Sequence, residues 1–254
     1  MKRTITRTAL ASLFFLSGLT FSSYAQTYYQ LYLCGNTTAT LHTPEESTLT
    51  ANSGDEVHWF LDGTAVGTPK PYTGANTTDL DVPATLPVGL HNYTSAIKSK
   101  DGCLGPQSTP FTVYKLPNKT IALSSPTNAT YCEGATGTTA SSVITATSAP
   151  VAPETLPDGI GYSYTWSATR NGTAVTPATT IGTITGNEPN VNNTFTLTTT
   201  DIGTYVFNAT VTYVKLTGNP GTLKTDAACE VSTTTSQTIT VLPKPGQPTI
   251  VLAN

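Results

Sequence analysis

The sequence predicts an all-β chain of two tandem β-sandwich domains, and three observations carry the prediction. Apolar residues alternate with polar ones in short runs and nowhere sustain the 3.6-residue rhythm of a packed helix. Gly, Pro, Asn or Asp breaks these runs about every ten residues, which is sandwich or barrel spacing. One pattern also occurs twice. Phe111-Thr112-Val113-Tyr114-Lys115-Leu116-Pro117 is followed by Lys119-Thr120-Ile121-Ala122-Leu123, and Ile239-Thr240-Val241-Leu242-Pro243 by Pro248-Thr249-Ile250-Val251-Leu252. A β-rich run ends in proline and another begins, as in arrays of repeated units.

Residues 1–25 read as a secretory signal. Lys2, Arg3 and Arg7 give the positive start, Ala9 to Phe21 the apolar stretch, and Ser23-Tyr24-Ala25 the small-residue cleavage site. The apolar run is shorter than the roughly 20 residues of a membrane span. Gln26 is then the first mature residue. Leu31-Tyr32-Leu33-Cys34 has the look of a lipidation site, but a lipidation cysteine follows a small residue and Leu33 precedes Cys34.

Removing the signal takes three of twelve basic residues and none of the fifteen acidic ones, so the formal charge moves from −3 to −6. That balance argues against nucleic acid or an anionic membrane as partner, since both call for a basic surface. Charged residues are 11% of the chain, against about 25% in an average domain. Thr, Ser, Asn and Gly take their place, and Thr suits the solvent face of a strand.

The first domain is placed at 26–117, the second at 118–243, and 244–254 is a linker with the start of a third repeat. In the first, Val57-His58-Trp59-Phe60-Leu61 reads as a strand before an Asp62-Gly63 turn. Its counterpart is Tyr162-Ser163-Tyr164-Thr165-Trp166 before Asn171-Gly172. Trp59 and Trp166 are the expected core residues between facing sheets. Ser148–Gly161, rich in Pro and Ala, reads as a long loop. Later, Val88–Ile97 aligns with Ile202–Val211. Asp201-Ile202-Gly203-Thr204-Tyr205 has the form of a tyrosine corner, so Asp201, Gly203 and Tyr205 are structural. Pro87 and His91 replace Asp201 and Tyr205 in the first unit, which predicts that this unit lacks the corner bond. Leu242–Pro248 reads as a semi-rigid proline spacer.

Four cysteines, Cys34, Cys103, Cys132 and Cys229, fall one near the start and one near the end of each unit. In a secreted chain an even count favours disulfides. Three pairings exist, and the repeat favours Cys34–Cys103 with Cys132–Cys229, each internal to a domain. Loops of about 70 and about 98 residues would each contribute about 4–5 kcal/mol. That pairing conflicts with strand geometry. The two turns lie at opposite ends of a strand about 20 Å long, whereas a disulfide spans at most about 7 Å between Cα atoms. Either the strand order is modified or a cysteine lies within a strand.

Tyr131-Cys132-Glu133-Gly134 at a unit start, Asp101-Gly102-Cys103 before a last strand, the tryptophan strand between and the Val-x-x-x-Pro linker together resemble the immunoglobulin-like or PKD-like repeats of secreted Bacteroidetes cell-surface proteins. The resemblance covers nearly all of residues 30–248. It implies stalk and display modules of adhesins, export-system cargo or multidomain glycan-degrading enzymes. The first unit departs from it at Cys34-Gly35, which lacks the intervening Glu.

Chemistry-bearing residues are few. Glu56 and His58 share one face of an alternating strand, the usual place of solvated side chains, without a nucleophile or orienting group beside them. His42 and His91 have no ligand spacing to His58, and the cysteines have no zinc spacing. Asp79 and Asp81 could face calcium together, but calcium takes six to eight oxygens. Tyr28, Tyr29 and Tyr32 could stack on a sugar ring or form the first strand. The sequons at Asn36, Asn76 and Asn208 follow from the abundance of Asn and Thr. No catalytic, metal or cofactor set emerges. The chain reads as a non-enzymatic, secreted or surface-displayed spacer or adhesive module; the sequence does not name its partner, for which an extracellular glycan or a protein stays open. The alternative is a carbohydrate-binding accessory region of a glycan-degrading enzyme.

Overall fold

Residues 27–43, 54–73, 77–135, 140–186 and 191–250 are described by the structure, a computed structural model. The signal segment, Asn76 and the end of the third β-rich run lie outside them. Strands dominate, and among the described residues no helix is long and apolar enough to cross a membrane.

The first sandwich is built from β1 (Leu31–Leu33), β2 (Ala39–Leu41), β3 (Glu56–Leu61), β4 (Thr64–Pro71), β5 (Leu80–Val82), β6 (Gly89–Lys98) and β7 (Phe111–Lys115). One sheet runs β1-β7-β6-β3-β4, with β1 parallel to β7, and faces a two-stranded sheet of β2 and β5. Period-two burial in β3 turns Val57 and Trp59 inward, while Glu56, His58 and Phe60 take the other face. Leu33, Leu41, Val82, Tyr93 and Val113 close the core around Trp59.

The second sandwich comprises β8 (Lys119–Leu123), β9 (Thr130–Cys132), β10 (Ser142–Pro150), β11 (Ile160–Arg170), β12 (Thr173–Val175), β13 (Gly182–Thr185), β14 (Asn192–Leu197), β15 (Gly203–Lys215), β16 (Thr222–Lys224), β17 (Val231–Ser232) and β18 (Gln237–Leu242). Its sheets run β13-β14-β10-β8 and β12-β11-β15-β18-β9. The first edge run is divided between the sheets, β8 pairing with β10 and β9 lying parallel to β18. Trp166, Phe195 and Phe207 form the centre of the core, with ring centroids 5.5 and 5.0 Å apart.

Both hairpins after the tryptophan strands turn on two residues in the left-handed region, Asp62-Gly63 and Asn171-Gly172. That geometry matches strand twist and explains the Asp-Gly and Asn-Gly pairs. Each indole N–H finds a partner on the facing sheet side: Trp59 Nε1 donates to Thr78 O at 2.8 Å and Trp166 Nε1 to Asn193 Oδ1 at 2.6 Å. The Tyr205 hydroxyl donates to Asp201 O at 2.9 Å. The first unit makes the same bond by other means, contrary to the sequence expectation: His91 Nε2 donates to Pro87 O at 2.8 Å. Imidazole carries an N–H far enough from its Cα to replace the phenol, and its Nδ1 lies 3.2 Å from Asp62 Oδ2.

The stretch expected as a loop over 148–161 is shorter than that. β10 runs on to Pro150 and β11 starts at Ile160. Alternation continues through Ile160 and Tyr162, which the Pro-rich composition of the stretch obscured.

Candidate functional site

Among the described residues, the most elaborate polar and covalent chemistry lies between the sandwiches. β11 and β15 pair without interruption from Arg170↔Tyr205 to Ile160↔Lys215. Their far end presents Ile160, Tyr162, Val211 and Tyr213, which join Tyr32, Cys34, Leu116 and Cys229 in a third buried cluster shared by both sandwiches. Tyr162 stacks on Tyr213 with centroids 5.5 Å apart. The connecting Leu116 and Pro117 are buried, and the Tyr213 hydroxyl donates to Pro117 O at 3.1 Å.

After β15 the chain does not return directly. Residues 216–230 fold back over the first sandwich, where β16 adds in parallel to the outer edge of β1, Leu31 opposite Thr222 and Leu33 opposite Lys224. The first sheet thereby gains a sixth strand from the second sandwich. Five residues beyond β16, Cys229 forms a disulfide with Cys34, their Cα atoms 5.4 Å apart. Gly35, at φ +65°, explains the missing Glu of the first unit: a Cβ there would stand 2.0 Å from Asp226 Oδ1 and 2.9 Å from Cys229 N. Asp226 Oδ2 accepts from Asn36 N at 2.9 Å.

The expected pairing therefore does not occur: Cys103 and Cys132 are free and exposed. The distance conflict is resolved by a disulfide between the sandwiches. Cys34 ends the first edge strand at the linker end of its sandwich, and Cys103 lies in the β6–β7 hairpin at the opposite end, because Gly89 pairs with Lys115 at the linker end.

Two buried lysines complete the junction. Lys115 Nζ donates to Gly35 O at 2.5 Å and Ala84 O at 3.1 Å. Burial pushes its pKa down, partly offset by the Asp226 carboxylate. Lys119, 5% exposed, donates to Cys229 O and lies 4.0 Å over the Tyr213 ring. Burial lowers its pKa from 10.5 to about 8, against the opposing pull of Glu230.

The aromatic triad does not form a platform. Tyr32 is fully buried, its hydroxyl accepting from Tyr29 N at 3.0 Å and donating to Asp158 O at 3.4 Å. Tyr29 stacks on Tyr114 at 5.0 Å, and Tyr28 lies against Gly159. Thus the 151–159 loop of the second sandwich covers the face that a sugar would need. The carboxylates Asp79 and Asp81 are engaged apart, Asp79 with His42 at 2.8 Å and Asp81 with the Thr40 hydroxyl at 2.8 Å. Among the described residues no group of three or more His, Cys, Asp or Glu side chains could hold a metal. Glu56 Oε2 lies 3.3 Å from His58 Nε2 and 3.9 Å from Lys98 Nζ on the outward face of β3. A groove of about 450 Å³ on the second sandwich is lined by Thr165, Ser167, Val175, Pro177, Val206 and Asn208, without a charged group.

Sequence reasoning missed the junction. Its one visible signal was the 11 residues from Leu216 to Asp226 that have no counterpart between Lys98 and Cys103.

Facing sheets, a parallel first edge strand, a core tryptophan and a tyrosine corner define the class as tandem immunoglobulin-like sandwiches. No family model matches the chain, and no curated protein does. Solved structures do. Fibronectin(III)-like modules of Clostridium thermocellum CbhA are 13% identical over 90% of this chain and 98% of theirs, with TM-score 0.39. A marsupial T cell receptor is 12% identical over 90% of this chain and 74% of its own, with TM-score 0.44. The chicken CNTN1 FN1-FN3 domains are 7% identical, covering 86% and 69%, with TM-score 0.33.

Proposed function

We propose that this chain is a non-catalytic, extracellular structural module, a stiff two-domain spacer, divided near Pro117, of a secreted or surface-displayed bacterial protein. The observation that carries the reading is the junction. A flexible tether would need only a linker; here a shared sheet, a disulfide and a buried linker fix one sandwich against the other. Such a disulfide fits an oxidising, extracellular compartment. Few charges and hydroxyl-rich outer faces fit a surface that presents rather than reacts. The carbohydrate-binding alternative loses its support with the burial of Tyr32 and the stacking of Tyr29 on Tyr114.

The free thiols provide the test, since Cys103 and Cys132 are exposed at opposite ends of the pair. Spin labels on both should give a single narrow distance distribution by pulsed electron resonance. A broad distribution, as from a hinge, would overturn the spacer reading.

A further inference from the structure

The junction has two halves, and one half occurs a second time, open. β9 is the counterpart of β1. Leu33 pairs with Lys115 and Tyr131 with Val241, in strands that both end in Leu-Pro. The next residue is cysteine in each case, Cys34 and Cys132, and each starts a four-residue turn closed by an N–H to the cysteine carbonyl, from Thr37 and from Ala135. The surroundings differ. On β1 the outer edge is covered by β16, Cys34 is bonded to Cys229, and the neighbouring Leu116 is 3% exposed. On β9 no strand pairs with the outer edge among the described residues, Cys132 is a free exposed thiol, and Leu242, the counterpart of Leu116, is 43% exposed.

We propose that Cys132 and the open edge of β9 are the acceptor of another inter-sandwich staple, taken by a following immunoglobulin-like sandwich whose loop before its last strand carries a short strand and then a cysteine, as residues 222–229 do here. An unpaired edge invites an added strand, and the thiol lies where the same molecule already makes a disulfide across two sandwiches.

A second copy of this chain fits less well. Cys103 does hold the place of Cys229: Lys98 bridges Leu104, and continuing the β15–β17 register sets Thr212, the counterpart of Lys98, against Glu230. Yet only Ser99–Gly102 precede Cys103 after β6, too few to supply a strand. Asp55 and Ser99 also stand where the second sandwich has the junction's Tyr162 and Tyr213. The acceptor turn differs from that after β1. Glu133 follows Cys132 where Gly35 follows Cys34, so the incoming loop needs a base rather than the carboxylate of Asp226. The left-handed residue of the acceptor turn is Gly134 (φ +68°), two positions after the cysteine, where the first turn has Gly35 directly after it, so an incoming loop must also stand off the Glu133 Cβ.

Closing the staple joins two thiols and releases two protons and two electrons. A low-molecular-weight disulfide takes them: one thiolate displaces the first half of that disulfide, the other thiolate displaces the second, and two small thiols leave. The inference rests on the junction geometry and stands or falls apart from the spacer reading.

The probe is a synthetic peptide of residues 218–231 carrying Asp226→Lys, its cysteine activated as the mixed disulfide with thionitrobenzoate, offered to the full chain. Coupling at Cys132 should exceed that of a scrambled peptide by about tenfold, the discrimination of one or two net hydrogen bonds, with slowed exchange of β9 amides and no such preference at Cys103. Equal coupling of the two peptides at Cys132 overturns the proposal. So do covalent oligomers joined Cys103 to Cys132 when the chain alone is oxidised, because they would put a second copy there.

Discussion

The two sandwiches share a plan, but among the described residues the first offers the smaller core. The second closes its core with two full sheets, fourteen buried residues meeting around Trp166 and Phe195. Among the described residues, which leave out 44–53 and 74–76, the first has ten, and its smaller sheet is a pair of three-residue strands, β2 and β5. Such a pair is marginal by itself. The first sandwich also receives from the second a sixth strand, a disulfide and a share of the junction cluster. Stability in this repeat is therefore passed from one unit to its neighbour, as in other arrays where neighbour interfaces carry much of the energy.

Removing the covalent part of that transfer should have the largest effect. The disulfide closes a span of 195 residues, for which loop-closure entropy gives up to about 5 kcal/mol. In C34A/C229A the first sandwich should unfold before the second, giving two denaturant transitions. Amide exchange should quicken in β1 and β16 while β14 stays protected. One transition at an unchanged midpoint would break the comparison.

The buried base of the junction should be felt next, through pH. Folded Lys119 releases its proton near pH 8, whereas the unfolded chain holds it to about 10.5. Between those values the unfolded state binds more protons, so stability rises with pH, by up to about 3 kcal/mol. The tyrosines act in the opposite direction. Burial pushes Tyr93, Tyr131 and Tyr162 up from 10 to about 12. Above pH 10 the unfolded chain therefore loses protons that the folded one keeps, and stability falls. Unfolding free energies from pH 7 to 11 should pass through a maximum near pH 10. Lys115, whose pKa burial also pushes down, adds to the rise, so Lys119→Met should reduce the rise and leave the fall; a rise undiminished in that variant would clear Lys119 of the role.

The smallest contrast is at the corners. Tyr205→Phe and His91→Phe each remove one bond to a backbone carbonyl and should cost about 1 kcal/mol, measured by chemical denaturation. The first loss should register in the second sandwich and the second in the first. If His91→Phe is silent in both, the corner of the first unit contributes nothing.

Much of the plan was legible residue by residue. Alternation at Val57 and Trp59, the Asp62-Gly63 and Asn171-Gly172 turns and the duplicated Leu-Pro endings are local signals, because strand period and left-handed turn residues act over two to six positions. By contrast, His91 was read as a lost corner from its identity alone, although the contact needs only an N–H at the right reach. The strand pattern leaves Tyr32 open to a sugar, and only the packing of the second sandwich, through the junction cluster and the 151–159 loop, buries it.

The sequence alone determined the all-β class, the two repeats and the turns between strands, since each follows from the chemistry of neighbouring residues. Only the tertiary structure decided which cysteines meet. Four thiols in two units are chemically equivalent along the chain. What separates them is the path of residues 216–230, which carries Cys229 away from its own sandwich and onto Cys34 of the other, and a path of that kind is set by packing across the whole molecule.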